Sequence, residues 1–89
     1  MIKYIKLNFL YSDTGYLHNI YKSETGFYYC LQWDNGYDNA PTLCTATKDG
    51  EANTPIRKKE SIEKFIFPEG HEHYHYIIKE SFEKGCAIT

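Results

Sequence analysis

The sequence predicts an α+β domain, an antiparallel β-meander of three or four strands over residues 2–47 with one or two C-terminal helices within 55–84 packed on one face. Three observations carry that prediction. Turn signals SDTG (12–15), SETG (23–26), DNG (34–36) and KDG (48–50) punctuate the first half, each with Gly where positive φ costs little. The runs between them alternate between two faces as strands do. The last third instead carries apolar residues at helical spacing. With 89 residues, a second domain would leave neither half able to bury a core, so residues 1–89 are expected to form a single domain, 1–47 the meander and 55–84 the helical region.

Residues 2–11, IKYIKLNFLY, place Ile5, Leu7, Phe9 and Tyr11 on one face and Tyr4, Lys6 and Asn8 on the other. Residues 16–22 and 27–33 supply the next two strands; FYYCLQW puts Phe27, Tyr29, Leu31 and Trp33 on one side and Tyr28, Cys30 and Gln32 on the other. DNGYDNAP, 34–41, is too rich in Gly, Asn and Pro for a strand and reads as a loop before a weaker strand in TLCTAT, 42–47, beside the third. KDGEANT, 48–54, reads as a polar connection. Thr54 before Pro55 has the form of a helix cap and first helical residue, and the helix it opens must end before Pro68, although FIF within it equally suits an extended stretch. The helices are expected on the face bearing Leu7, Phe9, Tyr29 and Leu31.

Residues 71–79 admit two periods. A strand puts His71, His73, His75 and Ile77 on one face; a helix forms a stripe of Tyr74, Ile77, Ile78 and Phe82, with Gly85 where a left-handed C-cap belongs. The helix explains more residues and is predicted over 73–84.

Composition narrows the function. A formal charge of -2 and a pI near 6.0 supply no global drive toward phosphate backbones or anionic lipid. No apolar run approaches the roughly 18 residues that span a bilayer, and the N-terminus lacks the pattern of a signal peptide, so a soluble, unprocessed, cytoplasmic protein of a bacterial host cell is expected. Cys30, Cys44 and Cys86 lack CxxC spacing, indicating neither a disulfide framework nor a zinc finger. Nine Ile without Val and nine Lys against one Arg track AT-rich codons, and scarce Arg leaves few planar forks for phosphate clamps. In composition the chain looks like small Tyr-rich accessory proteins of AT-rich bacteria or their phages.

HEHYHY, 71–76, is the segment most suggestive of chemistry. On a strand His71 and His75 lie about 13 Å apart, too far for three rings to meet one tetrahedral ion; on a helix they pair and His73 points elsewhere. No local metal site is expected, and a further ligand would be required, with His18, Cys30, Cys44, Cys86 or Glu72 as candidates. HEHYHYII also resembles the histidine triad signature, whose family hydrolyses or transfers nucleoside phosphates; the resemblance implies His75 as nucleophile with His71 and His73 in support. Glu72 stands where that family has an apolar residue, and the likeness covers eight residues. Gly residues never fall in a phosphate-loop spacing, and the pairs Glu60/Glu63 and Glu80/Glu83 read as solvated helix faces.

Two surfaces remain for binding. Tyr4, Lys6, Tyr28 and Gln32 on the outer sheet face have the makings of a stacking platform for single-stranded nucleic acid, without RNP signatures. The loop WDNGYDN supplies Trp33, Asp34, Asn35, Tyr37 and Asp38, residue types that anchor and hydrogen-bond a protein partner, although Trp33 equally suits the core edge. The expectation is a non-enzymatic binding protein without cofactor: a phage or mobile-element accessory factor that inhibits a host defence protein by surface occlusion. A host or bacterial protein is the expected partner, homo-oligomers are compatible, nucleic acid is less favoured, and no membrane is involved. The alternatives are a single-stranded nucleic-acid module and a histidine-dependent nucleotide hydrolase or metal-binding protein acting through HEHYHY.

Overall fold

Strands form where the alternation runs, and the computed structural model describes residues 3–13, 18–33 and 40–83. In chain order these build β1 (Ile5–Asp13), β2 (His18–Ser23), β3 (Tyr28–Gln32), β4 (Thr42–Ala46), β5 (Ala52–Pro55), α1 (Lys59–Glu63), β6 (Phe65–Ile66) and α2 (Glu72–Glu83). The strands form one curled six-stranded sheet ordered β5-β4-β3-β2-β1-β6. Neighbours from β1 to β5 pair antiparallel, while β6 runs parallel to β1. The α+β class and the meander are as expected; the sheet is larger than three or four strands, and it is mixed.

Both extra strands occupy edges, and each replaces a feature expected elsewhere. ANTP looked like loop and helix cap because it is polar and holds a proline. Instead Thr54 N–H donates to Thr45 Oγ1 at 3.0 Å, and Pro55, lacking an N–H, closes an edge strand where none is needed. The helix expected from Pro55 shrinks to the five residues of α1, preceded by Lys58 without a side-chain cap bond. Its expected C-terminal part is β6, where Ile5 N–H donates to the Lys64 carbonyl at 2.8 Å and Phe65 and Ile66 pair with Ile5 and Lys6. Pairing wins there because extension buries Phe65 and Phe67 on the sheet, Phe65 meeting Tyr29 edge-on at 5.0 Å. The C-terminal helix forms as expected, with Ile78 buried and Tyr74 and Phe82 packed against the same core, but Ile77, expected on the same stripe, is 40% exposed at its edge.

The core lies between one sheet face and the C-terminal third. Leu7, Tyr21, Tyr29, Leu31 and Leu43 from the strands, with Trp33 just beyond β3, meet Ile62, Phe65, Phe67 and Ile78. Complete burial of an aliphatic side chain contributes about 1.5–3 kcal/mol, so Leu7, Leu31, Leu43 and Ile62, all 0% exposed, are chief contributors. The curl creates a smaller cluster on the opposite face, where Ile20, Cys30 and Cys44 pack with Ala46 and Ala52.

β1 departs from the expected alternation. Its register shifts between Phe9, which pairs with Tyr21, and Tyr11, which pairs with Ile20, so Leu10 is the extra residue of a β-bulge. Leu7 keeps its core place. Tyr11 crosses to the Ile20 face, and Phe9, expected beneath the helices, stays 40% exposed at the core margin.

Candidate functional site

Each histidine of HEHYHY has a different setting. His71 precedes α2, and its Nδ1 lies 2.9 Å from the Tyr21 hydroxyl. His73 is exposed, with its ring 4.0 Å from that of Tyr74. His75, one helical turn beyond His71, donates from Nε2 to the Ile62 carbonyl at 2.9 Å and stacks on Phe67 at 4.9 Å and 9°. The three rings do not converge, and among the described residues no group of three or more His, Cys, Asp or Glu side chains is placed to hold a metal ion. The nucleophile position implied by the histidine triad resemblance is His75, whose ring ties α2 to the end of α1. Burial lowers its pKa from the ordinary value, helped by the Lys79 ammonium and opposed by the Ile62 carbonyl bond and Glu63.

The His71 bond ends a directed polar chain. Ser12 Oγ donates to Asn19 Oδ1 at 2.6 Å, and Asn19 Nδ2 donates to the Tyr21 oxygen at 3.3 Å. With that oxygen accepting from Asn19, the buried phenol places its proton best by donating to His71 Nδ1, which fixes the neutral ring with its proton on Nε2. Burial raises the Tyr21 pKa well above the usual phenol range, with Asn19 opposing, and burial lowers that of His71, with His73 assisting and Glu72 opposing. This chain satisfies polar groups at the sheet margin. A tyrosine held as phenol against a neutral imidazole suits hydrogen bonding better than proton abstraction.

Beside it lies the surface made by the bulge. Phe9, Leu10 and Tyr11 are consecutive and are 40%, 44% and 45% exposed. Regular alternation would hide every second one. The bulge instead leaves Phe9 over His71, rings 4.7 Å apart, and aims Tyr11 at the β4–β5 turn, where its hydroxyl donates to the Asp49 carbonyl at 3.5 Å. Gly50 permits that approach: its φ is +86°, and a Cβ there would stand 2.8 Å from the Tyr11 hydroxyl. The sequence did carry a signal, since Leu10 falls on the phase of Lys6 and Asn8.

The expected binding residues divide. Trp33 is 8% exposed and meets Tyr74 edge-on at 5.3 Å, while Asp34, Asn35, Tyr37 and Asp38 lie outside the described residues, as does Cys86. On the outer sheet face Tyr4 is 62% exposed, Lys6 pairs with Glu24 at 3.8 Å, and Lys22 sits 5.2 Å from the Tyr28 ring centroid. Glu24 therefore offsets part of the positive charge offered there. Gln32 is half-buried, its Oε1 4.0 Å from Cys44 Sγ. No helix among the described residues is long and apolar enough to cross a membrane. Comparison with protein-family models, curated proteins and solved structures yields no match.

Proposed function

We propose that this chain is a non-enzymatic binding protein that works by occupying a surface of a protein partner, with the bulged segment Phe9, Leu10 and Tyr11 at the centre of contact. The exposed run of three large apolar side chains is the observation that carries the reading. Such runs are costly to solubility in a lone domain and mark contact surfaces. Phe9 and Tyr11 are held by His71 and Asp49, so a partner would meet side chains already ordered and lose less entropy on binding. The histidines lend support from the other side: two of the three are engaged in bonds that tie the fold together.

The finer proposal is a phage or mobile-element accessory factor that covers a bacterial defence protein, supported by small size, AT-rich residue choice and abundant Tyr. The loop residues Trp33, Asp34, Asn35, Tyr37 and Asp38 remain proposed as a second contact. The test is expression in bacteria that restrict phage through a defence nuclease, with capture of the tagged chain before and after nucleic-acid digestion. The expected result is relief of restriction and a digestion-resistant protein partner, both lost with Leu10→Lys while the purified variant keeps its melting temperature. Capture that vanishes on digestion and survives Leu10→Lys would instead assign the working surface to Tyr4, Lys22 and Tyr28 and to single-stranded nucleic acid.

A further inference from the structure

Cys30 and Cys44 face one another across the β3–β4 ladder, on the sheet side away from the helices. They are thiols, 0% and 4% exposed, packed with Ile20, Ala46 and Ala52. Backbone bonds fix the kind of pair they form. Ile56 N–H donates to the Leu43 carbonyl toward β5, and Ser23 N–H donates to the Phe27 carbonyl between β2 and β3. Because successive residues turn their backbone groups to alternate sides of a strand, Cys44 must face β3 and Cys30 must face β4. The cysteines therefore exchange their own hydrogen bonds, with Cα atoms about 5.5 Å apart, inside the range a disulfide spans. Cβ atoms in such a pair stand near the upper end of about 4.5–5.5 Å, whereas a relaxed disulfide brings them to about 3.8 Å.

We infer that Cys30 and Cys44 are a redox pair that closes into a reversible cross-strand disulfide on reaction with a low-molecular-weight disulfide such as oxidised glutathione. The ladder presets the partners. The contraction needed stores strain in the bond and makes it readily reducible, as in regulatory rather than structural disulfides. Access comes from the sheet edge. Cys44 lies on β4, whose neighbour on that side among the described residues is the four-residue β5, with a register shift between Cys44 and Ala46 and Pro55 as its last residue. Short edge strands open at low cost, and opening of β5 uncovers Cys44 first. The Cys44 thiolate attacks one sulfur of oxidised glutathione and releases one glutathione thiolate. The Cys30 thiolate then attacks Cys44 Sγ in the mixed disulfide and releases the second. Two thiols are oxidised by two electrons, the glutathione disulfide is reduced, and the thiol protons pass to the departing thiolates. The bond would clamp β3 to β4.

The experiment uses the full chain carrying Cys86→Ser, equilibrated in buffers of oxidised and reduced glutathione. The expected result is loss of both remaining thiols, a mass lower by two hydrogens, a proteolytic peptide joining residues 30 and 44, and full reversal by excess reduced glutathione. In the same background Cys30→Ala should stop at one glutathione on Cys44, and Cys44→Ala should stay unmodified on the same timescale. Failure to link under native conditions, linkage between chains instead of within one, or a bond that reduced glutathione does not reopen would each overturn the inference. Because the linked peptide is read on the chain that retains both cysteines, poor folding of the alanine variants leaves the test intact.

Discussion

Tyr21 shows how one side chain serves two ends of the fold. Its ring lies in the core against Phe67 at 5.7 Å, and its hydroxyl stands between Asn19 and His71. Tyr21→Phe keeps the ring but leaves the buried Asn19 amide and His71 Nδ1 without that partner, a loss expected at about 1–3 kcal/mol by urea denaturation. Burial of two imidazoles sets a pH dependence. His71 and His75 both have pKa values lowered by burial, so the folded state resists protonation while the unfolded chain titrates at the ordinary 6.5. Stability should be fully present above that pH and fall as pH drops through 6.5 toward the lowered folded values. Urea midpoints at neutral and mildly acid pH check this; His75→Gln, which retains an N–H donor, should flatten the slope. An unchanged midpoint across that interval would refute the account. Glu72, whose carboxylate accepts from its own backbone N–H and from the Gly70 N–H, has its pKa lowered from 4.5 and acts in a separate, more acidic interval. Glycines divide similarly by surroundings. Gly26 has φ +96° and nothing within 4 Å of a built Cβ, so Gly26→Ala should cost only the left-handed strain of about 1–2 kcal/mol. Gly50→Ala adds collision with Tyr11 and Ile20 and should cost more, the order being readable from melting temperatures.

Elements were legible where one period dominated and illegible where neighbours decided. Strands β1 to β4 and helix α2 lie where short alternating or apolar runs between turn signals, or an apolar stripe, marked them. β5 and β6 had no such pattern. Four residues, two of them polar and the last a proline, and two apolar residues after a helical turn become strands only because an unpaired sheet edge waits beside each. The neighbouring positions Ile62 and Ile66 separate packing from pairing. Ile62→Ala should cost about 2–5 kcal/mol, since Ile62 is 0% exposed beneath α2, whereas Ile66→Ala, at 45% exposed on the outer face, should stay within about 0.5 kcal/mol. Chemical denaturation of both variants checks the contrast; equal losses would mean that β6 is held by its side chains on both faces. The bulge belongs at this scale too. A strict alternation predicts Phe9 and Tyr11 together, and only the out-of-phase Leu10 hinted that the strand would slip.

For the whole molecule, burial and pairing predict a gradient of stability from the middle of the sheet to its edges. Hydrogen exchange should be slowest in β2 and β3, which are paired on both sides and carry Tyr21, Tyr29, Cys30 and Leu31, and fastest in β5 and β6, with α2 between them. Mass-spectrometric exchange on proteolytic fragments measures that order; protection in β5 equal to that in β3 would also remove the edge route to Cys44. By itself the sequence determined the α+β class, the meander, the face of Leu7, Tyr29 and Leu31, and the C-terminal helix, because these follow from periodicity and turn chemistry acting over a few residues. Only the tertiary structure decided that HEHYHY is split between a bond to Tyr21, an exposed ring and a tie to Ile62, and that Phe9, Leu10 and Tyr11 lie open together. It also decided that Cys30 meets Cys44. Each of these depends on which distant backbone lies alongside, and a one-residue shift of register changes the face a side chain occupies without changing the composition that the sequence displays.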